Sequence, residues 1–378
     1  MRACVWIHTV SLGEAIAATP LIMKIHQHHP NKLLLITTTT PTGAAWVNKQ
    51  FKTMATHAYL PYDHPWLIKR FFRHFKPSIG IIMETELWPN TLHLAKKHAI
   101  PMLLANARLS ERAFARYKRI PNITNSMLNQ LDIVLIQSES IAERFFALGL
   151  NKTKASITGN LKFNAHIPDN ITEAHQKLIT MMHNAPCWTA AITHPGEDSL
   201  ILDAHTNLLK NLPHCKLILA PRHPERCTEV TLLLNKKGLS WQQYTNKKAK
   251  LSESVLLIDT IGELMPCFAA SKIAFIGGSL VPRGGHNLIE PLFFSLPVLT
   301  GPHTFNFSDI HQMIKQAELC TTVHDALSLS EAVFPALEHI DPTFKSRCQS
   351  FMVNHLDSLD KHLTIILDFI SRPSTQDD

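Results

Sequence analysis

The stretch "CVWIHTVSLGEA", Cys4 to Ala15, joins an apolar run to a turn of small residues, and an amphipathic segment follows it. Short apolar runs of this kind alternate with helical patterns, such as "EAIAATPLIMKIHQHH", from one end of the chain to the other. Strands that are apolar at nearly every position and separated by helices indicate a parallel sheet covered on both faces. The sequence therefore predicts an α/β protein built from doubly wound sheets.

The predicted strands fall into two sets. The first set is "CVWIHTV", "KLLLITTTT", "THAYLP", "SIGIIMET", "PMLLANA", "DIVLIQS" and "ASITGN", and the second is "WTAAITH", "KLILAPRH", "SVLLIDT", "KIAFIGGS" and "LPVLTG". The polar helical stretch "TEAHQKLITMMHN" separates them, and 378 residues exceed what one core usually serves. We expect two Rossmann-like domains, 1–165 and 166–378, the second including the C-terminal helices. They should face a central cleft, with ligands at the carboxyl ends of the strands.

The amino-acid composition limits both the class of protein and the kind of partner that it binds. The chain is 45% hydrophobic and 18% charged, which excludes a disordered or fibrous protein. Its formal charge of +7 favours an anionic partner, whether nucleic acid, acidic lipid or a phosphorylated substrate. The 7 cysteines form no C-x-x-C pair, which argues against a disulfide framework or a structural zinc site.

Membrane and export signals are weak. No run of about 18 apolar residues that would span a bilayer occurs in the sequence. The N-terminal stretch "MRACVWIHTVS" has too short an apolar core for a signal peptide, so we expect a chain that is not secreted.

Glu14 directly follows the first predicted strand and admits two interpretations. A carboxylate at the start of a helix is stabilised by the positive end of the helix dipole, by a few tenths of a kcal/mol up to about 1. The functional interpretation is a general base at the cleft that accepts a proton from a hydroxyl. Residue type alone leaves both open.

Two further charged groups follow strands of the first domain. "METELWPN" places Glu84 and Glu86 after the apolar run "IGIIM", either at a solvated edge or at the cleft. Lys162 in "TGNLKFN" is either a surface lysine or a cation that stabilises an anionic leaving group in the transition state.

The second domain carries signals for an anionic ligand. Arg222 and His223 lie between prolines in "LAPRHPER", after a strand, and supply a guanidinium fork and a further donor for phosphate or carboxylate. In "DTIGELMPCFAAS", Gly262 and Glu263 mark a turn into a helix whose backbone N–H groups could cradle a phosphate or nucleoside. A plain helix N-terminus would look much the same.

The strongest local signal is "IGGSLVPRGGHNLIEP". One glycine pair, Gly277-Gly278, ends a strand, and we expect the residues from His286 to Glu290 to form the first turn of a helix. Glycines allow close approach of a ligand to the backbone, and a carboxylate at this position suits ribose hydroxyls. The sequence contains no G-x-G-x-x-G, P-loop or D-x-D motif, which argues against a dinucleotide or P-loop site and favours metal-independent chemistry.

These features together describe a two-domain α/β enzyme with a base in the first domain and a nucleotide site in the second, as a GT-B glycosyltransferase requires. In order along the chain, "HTVSLGE", "TTTTPTG", "METELWPN", "NARLS", "GNLKF", "PRHPER", "IGEL", "GGSLVPRGGHNLIEP" and "GPHTFNF" resemble the motifs of the 3-deoxy-D-manno-octulosonic acid (Kdo) transferase family. The resemblance runs from about residue 7 to residue 310.

The resemblance implies an activity and a set of site residues. It implies inverting, metal-independent transfer of Kdo from CMP-Kdo to lipid IVA, with no cofactor, at the cytoplasmic face of the Gram-negative inner membrane. By the same resemblance Glu14 is the general base, and Glu84 and Lys162 stabilise the transition state. The residues implied for binding CMP are Arg222, His223, Ile261, Gly262, Glu263, Asn287, Leu288, Ile289 and Glu290.

One departure concerns the membrane. Family members usually carry a hydrophobic anchoring helix ahead of "HTVSLGE", and here Met1 comes directly before the first strand. Either the chain is truncated or its start is placed too late, or, if it is complete, we expect peripheral contact with an anionic membrane through the basic and aromatic stretches at residues 69–76 and 108–119. A second departure is Pro195 in "THPGED", where the family more often has an acidic residue.

Two alternatives remain open. The second-domain loops do not exclude uridine, so a GT-B enzyme or epimerase that uses a UDP-sugar is the first alternative. A binding protein at the membrane surface without catalytic activity is the second. Nucleic acid is not an expected partner.

Overall fold

The structure, a computed structural model, describes residues 4–164, 167, 171–246, 251–339 and 341–372. The chain divides into two compact units, Met1–His166 with His355–Asp378, and Ile167–Asn354. The predicted boundary between residues 165 and 166 is one residue from this division, although both residues lie outside the described ranges. The end of the predicted polar tail, residues 373–378, also lies outside them.

The first unit is a parallel sheet with helices between its strands. The strands are β1 (Cys4–His8), β2 (Leu33–Thr38), β3 (Ala55–Tyr59), β4 (Pro77–Met83), β5 (Met102–Ala107), β6 (Ile133–Ile136) and β7 (Ala155–Ile157). The helices are α1 (Leu12–His28), α2 (Pro41–Gln50), α3 (Pro65–Phe75), α4 (Pro89–Lys97), α5 (Glu111–Tyr117), α6 (Pro121–Gln130) and α7 (Glu139–Ala147). The strand order β3-β2-β1-β4-β5-β6-β7 reverses between β1 and β4, which is where ligands bind in such sheets.

The second unit repeats this architecture. Its strands are β8 (Cys187–Thr193), β9 (Lys216–Pro221), β10 (Trp241–Gln243), β11 (Val255–Leu257), β12 (Ala274–Ile276), β13 (Val298–Thr300) and β14 (Cys320–Thr322). The helices that follow in the chain are α8 (Ile171–Met181), α9 (Glu197–Asn211), α10 (Cys227–Lys236), α11 (Leu264–Ala269), α12 (Ser308–Gln316), α13 (Ala326–Glu338), α14 (Pro342–Leu356) and α15 (Ser358–Ser371). The sheet is parallel, in the order β10-β11-β9-β8-β12-β13-β14.

All twelve predicted strands are confirmed, as is the doubly wound α/β class. The strands that the sequence did not reveal are β10 and β14, each three residues long and at a sheet edge. Their sequences "WQQ" and "CTT" lack the apolar run that marks the buried strands.

The last helix belongs to the other unit, and the predicted assignment of the C-terminal helices to the second domain is wrong for it. In α15, Leu363, Ile366 and Ile370 lie in the same apolar core as Val5 and Ile7 of β1. The sequence shows that this helix has an apolar stripe, but a stripe does not identify the sheet that it covers.

The first basic and aromatic stretch, residues 69–76, is split between core and surface. Phe71 and Phe72 of α3 are buried, and their rings pack on that of Trp6, with centroids 5.2 and 6.0 Å away. The expectation that these phenylalanines contact a membrane is therefore wrong, because they complete the core above β1. The basic side chains of the stretch remain exposed. None of the helices in the described ranges is both long and apolar enough to cross a bilayer.

Candidate active site

Glu14 lies in the first turn of α1, directly after β1, as predicted. Its carboxylate accepts hydrogen bonds from the Val10 backbone N–H at 2.8 Å and from the Ser11 hydroxyl at 3.3 Å. Burial, with the nearby charges of Glu84 and Glu86, raises the pKa of Glu14 to about 7. A carboxylate with that pKa ionises near neutral pH, which suits a general base.

Glu84 and Lys162, predicted from separate motifs, form an ion pair. The Lys162 ammonium donates to Glu84 Oε1 at 2.8 Å, and both side chains are mostly buried, 15% and 13% exposed. Arg108 approaches the other carboxylate oxygen at 3.7 Å. Burial alone would raise the pKa of Glu84, but Lys162 and Arg108 together hold the pKa below its usual range. Glu84 is therefore a fixed anion held by two cations.

The backbone around Glu84 takes an uncommon conformation. Glu84 has φ of 58°, in the left-handed region that side chains other than glycine rarely adopt. Its N–H donates to the Ala105 carbonyl at 2.9 Å, and its carbonyl accepts from the Arg108 N–H at 3.3 Å, so β5 holds it in place. Strain of this kind persists only where neighbouring contacts fix it, and it is concentrated at functional sites.

Lys162 is positioned by a network of buried amides. Asn160 accepts from the Lys162 backbone N–H at 2.9 Å and donates to Gln137 at 3.1 Å, and Gln137 in turn donates to the Asn106 carbonyl at 2.8 Å. The Asn106 side chain accepts from the Leu161 N–H at 3.0 Å. Asn106 itself has φ of 53° and is fully buried. The motifs "NARLS" and "GNLKF" are thus parts of one network.

The C-terminal helix completes this network. His362 of α15 is fully buried, and its Nε2 accepts from the Asn106 N–H at 3.0 Å, which places the ring proton on Nδ1, 2.7 Å from the Ser358 carbonyl. The Thr158 hydroxyl lies 3.2 Å from the same Nε2. Burial lowers the pKa of His362 to about 4, so the ring stays neutral. Sequence reasoning missed His362, because it lies 256 positions from its partner.

In the second unit, the loop after β9 contains two arginines in different environments. Arg226 forms an ion pair with buried Asp198 and donates to the Thr193 carbonyl at 2.9 Å. The side chains of Arg222 and His223 are exposed, as a ligand-binding pair requires. The two arginines of "PRHPER" therefore have different roles, which the sequence did not distinguish.

The first glycine pair of "IGGSLVPRGGHNLIEP", Gly277-Gly278, packs against the interior of the unit. A Cβ on Gly277 would lie 2.5 Å from the Ile192 carbonyl, so only glycine fits there. The N–H groups of Gly278, Ser279 and Leu280 donate to buried Glu197 at 2.7 to 3.0 Å. The expectation that these glycines allow a ligand close to the backbone is wrong for this turn, because an internal carboxylate occupies it.

The segment from Asn287 to Ile289 precedes a short 3₁₀ helix, Glu290–Phe294, instead of forming the predicted first turn of a helix. Asn287 accepts from the Ile289 N–H at 3.2 Å and donates to Glu290 at 3.0 Å, so its side chain links this segment to the start of the 3₁₀ helix. Leu288 and Ile289 are buried, so only their backbone groups remain for a ligand.

His286 forms a pair that sequence reasoning also missed. Its Nε2 lies 2.8 Å from His194 Nε2, and the two rings are stacked. Burial and the charge of Arg222 lower the pKa of His286 to about 4. Burial raises the pKa of Glu290, and Asn287 and Arg222 partly offset that rise. Arg222 therefore lies within electrostatic reach of both His286 and Glu290, and the two predicted loops converge.

The third predicted loop lies near the second. Ile261 is 84% exposed, Gly262 has φ of 98°, and Glu263 caps α11 while accepting from the Tyr244 hydroxyl at 3.2 Å. Helix α11 contacts the 3₁₀ helix Glu290–Phe294. The predicted nucleotide residues thus lie in three loops at one side of the second unit.

Comparison with known proteins identifies the family. A family model described as 3-deoxy-D-manno-octulosonic-acid transferase (kdotransferase) matches residues 1–165. A 3-deoxy-D-manno-octulosonic acid transferase of Haemophilus influenzae is 41% identical over 335 residues, 88% of this chain and 78% of that protein. The enzyme of the same name from Rickettsia bellii is 31% identical over 372 residues, 98% of this chain and 87% of that protein.

A solved structure agrees on the fold. The UDP-GlcNAc 2-epimerase of Neisseria meningitidis, bound to UDP-GlcNAc, superposes with a TM-score of 0.65 at 15% identity, covering 98% of this chain and 99% of that one. Likeness at this identity shows the fold alone, which is the predicted GT-B fold of two Rossmann-like units. From the two relatives, the chain belongs to the 3-deoxy-D-manno-octulosonic acid (Kdo) transferase family of glycosyltransferases.

Proposed function

We propose that this glycosyltransferase of lipopolysaccharide biosynthesis transfers Kdo from CMP-Kdo to lipid IVA, with inversion and without a metal ion, and that Glu14 is the general base. The observation that carries the proposal is the state of Glu14. Its pKa is raised to about 7 by burial and by neighbouring carboxylates, whereas Glu84 beside it is held ionised by Lys162. Carboxylates with pKa values driven apart are typical of acid–base sites.

The proposed reaction is a single displacement. The acceptor hydroxyl oxygen forms a bond to the anomeric carbon of Kdo, and the bond from that carbon to the phosphate oxygen of CMP breaks on the opposite face, so the configuration inverts. The electron pair of the broken bond leaves on the phosphate, and the hydroxyl proton passes to Glu14, which later releases it to water. Lys162 supplies positive charge near the reacting groups, where it stabilises negative charge in the transition state.

The second unit supplies the nucleotide site in this proposal. Arg222 and His223 are exposed at the end of β9 and would pair with the phosphate. Asn287 and Glu290 are joined by a 3.0 Å hydrogen bond and would form further hydrogen bonds with the ribose and the base. Ile261, Gly262 and Glu263 belong to the neighbouring loop and would cover the bound nucleotide.

We also propose that the enzyme acts at the cytoplasmic face of the Gram-negative inner membrane, where its lipid acceptor resides. Basic residues that remain exposed in the stretches 69–76 and 108–119 support contact with an anionic surface. Because the lipid acceptor is anionic as well, the same charge would favour its approach.

The direct test is incubation of the protein with CMP-Kdo and lipid IVA, followed by mass spectrometry of the lipid. The proposal predicts release of CMP and a lipid that is heavier by one or more Kdo residues. Thermal stabilisation by CMP should exceed that by UDP, and the reverse order would favour an enzyme that uses a UDP-sugar. Binding to anionic liposomes without any CMP release would instead support a binding protein without catalytic activity.

A further inference from the structure

The segment between β12 and the 3₁₀ helix Glu290–Phe294 carries an arginine that the proposed function does not use. Arg283 is exposed, and none of the residues that the structure describes forms an ion pair or a hydrogen bond with its guanidinium. Arg226, by contrast, is paired with Asp198. We name the segment from Val281 to His286 the Arg283 loop. A guanidinium without a carboxylate partner inside the protein can pair with an anion from outside it.

The neighbouring segment fixes the backbone of the Arg283 loop. The side-chain amide of Asn306 donates to the Arg283 carbonyl at 3.0 Å, and the Asn306 backbone N–H donates to the Gly284 carbonyl at 3.0 Å. Gly284 has φ of 96°, and a Cβ there would lie 2.5 Å from the Phe305 ring, so glycine is required at this contact. The exposed guanidinium is therefore attached to an ordered backbone, which lowers the entropy cost of holding a ligand.

The histidine pair lies between Arg283 and Arg222. Burial and the charge of Arg222 lower the pKa of His286, whereas burial and the charge of Arg283, followed by those of other nearby cations, lower the pKa of His194. The two rings are in contact, with 2.8 Å between their Nε2 atoms. The leading charge on each ring is thus a different arginine, so the two guanidinium groups flank the pair.

The donor in the proposed function carries two anionic groups. Its phosphate is assigned to Arg222 and His223, which leaves the carboxylate of the sugar without a partner. Kdo is an ulosonic acid, so its carboxylate is attached to the same anomeric carbon that carries the phosphate ester. The two anions are therefore close neighbours in the donor, as the two arginines are on either side of the histidine pair. A planar carboxylate also matches the fork of a guanidinium group.

We propose that Arg283 binds the carboxylate of the donor sugar and thereby selects a sugar acid over a neutral sugar. The inference rests on the proposed function and adds the residue that recognises the sugar. Asn287 and Glu290 would lie at the ribose, Arg222 at the phosphate and Arg283 at the sugar, in the order in which these groups are linked in the donor. A nucleotide with a neutral sugar would gain nothing from Arg283, which makes this residue a source of specificity.

The test measures donor affinity without an acceptor present. We would determine Kd by calorimetry for CMP and for freshly prepared CMP-Kdo, because CMP has the phosphate but not the carboxylate. Arg283→Ala should weaken binding of CMP-Kdo about tenfold or more and leave binding of CMP within about twofold, since it removes a hydrogen bond between charged groups. Arg222→Ala should weaken binding of both ligands about tenfold or more.

A conservative variant separates the shape of the guanidinium group from its charge. Arg283→Lys keeps the charge but loses the planar fork, so it should recover part of the affinity for CMP-Kdo and leave that for CMP unchanged. Because the side chain of Arg283 is exposed, both variants should unfold at the temperature of the wild type. This comparison shows that a loss of affinity does not come from a loss of folding.

Two outcomes would overturn the carboxylate assignment. Equal losses of affinity for CMP and CMP-Kdo in Arg283→Ala would place Arg283 at the phosphate. Affinities of Arg283→Ala that match those of the wild type for both ligands would place Arg283 outside the donor site.

Turnover separates this inference from the proposed function. With lipid IVA present, Arg283→Ala should raise the KM for CMP-Kdo about tenfold or more. If the wild type transfers Kdo to lipid IVA but Arg283→Ala binds CMP-Kdo as the wild type does, the carboxylate assignment fails and the proposed function stands. If the loss in Arg283→Ala is confined to CMP-Kdo but the wild type transfers no Kdo to lipid IVA, the proposed function fails and the carboxylate assignment stands.

Discussion

The two units hold their functional residues in opposite ways. In the first unit, the residues proposed for chemistry influence each other: Lys162 pairs with Glu84, and burial together with the charge of Glu84 raises the pKa of Glu14. In the second unit, ionised groups are paired internally to fix loops, as Asp198 is with Arg226, whereas Arg222 and His223, proposed to bind the phosphate, are left exposed. The first unit is therefore preorganised for proton transfer, and the second for capture of an anion.

The comparison predicts its largest effect at Glu14. Glu14→Gln keeps the shape of the side chain and removes the base, so kcat should fall by about 10² to 10⁴-fold, as measured by CMP release from CMP-Kdo. The matched control is Glu139→Gln, which replaces an exposed acidic residue in the first turn of α7 and should leave kcat unchanged.

The same variant distinguishes a base from a helix-start carboxylate. The pKa of Glu14 is raised from 4.5 in the unfolded chain to about 7 in the folded protein. Between these pH values only the folded state keeps the proton, so the free energy of unfolding falls as the pH rises from 4.5 to 7. Glu14→Gln should therefore raise the free energy of unfolding at pH 8, by up to about 3 kcal/mol. A loss of stability at pH 8 would support the helix-start interpretation.

The second effect concerns the buried pair of the first unit. Lys162→Met leaves Glu84 without its closest cation, and we expect a loss of about 3 to 5 kcal/mol in the free energy of unfolding, measured with urea. Lys361→Met breaks the ion pair with Asp357, in which both side chains are about half exposed, and should cost less than about 1 kcal/mol. Equal costs would show that the Glu84–Lys162 pair is not a buried, preorganised unit.

The third effect concerns the two arginines of the loop after β9. Arg226→Ala leaves buried Asp198 unpaired and should destabilise the fold by about 3 to 5 kcal/mol. Arg222→Ala should leave the unfolding midpoint unchanged and weaken CMP binding by about 1.5 to 3 kcal/mol, measured by calorimetry. If Arg226→Ala weakened CMP binding without loss of stability, the roles of the two residues would be reversed.

The smallest effect is expected at the C-terminal helix. His362→Ala removes the acceptor of the Asn106 N–H and should cost about 1 to 3 kcal/mol at pH 7.5. The folded pKa of about 4 lies below the ordinary 6.5, so the contribution of His362 is present above pH 6.5 and is lost as pH falls toward 4. The difference from wild type should shrink at pH 5, and His339→Ala, an exposed control, should show no such change.

The sequence predicted the sheets better than the contacts between distant segments. Local apolar runs mark every long strand, and the polar residues that follow strands include Glu14, Glu84 and Lys162, because parallel strands bring their carboxyl ends to one edge. The ion pair between Glu84 and Lys162 could be anticipated from that rule. Its neighbour Arg108 belongs to the predicted motif "NARLS", but no local signal showed that it reaches Glu84.

The residues that sequence reasoning missed act over long separations. His362 lies 256 positions from Asn106, and His194 lies 92 positions from His286, so no window of sequence contains either pair. Glu197 was passed over for another reason. An acidic residue in the first turn of a helix has a local explanation, and its role in holding the turn from Gly278 to Leu280 appears only in three dimensions.

The central claim is that Glu14, with its pKa near 7, removes the proton from the acceptor. The most direct measurement is the pH dependence of kcat/KM for CMP release by the wild type, from pH 5.5 to 8.5, with lipid IVA and CMP-Kdo as substrates. Because the ionised carboxylate is the active form, the rate should rise about tenfold per pH unit below pH 7 and level off above it. A rate that is flat across this range, or that falls as pH rises through 7, would contradict the assignment of Glu14 as the base.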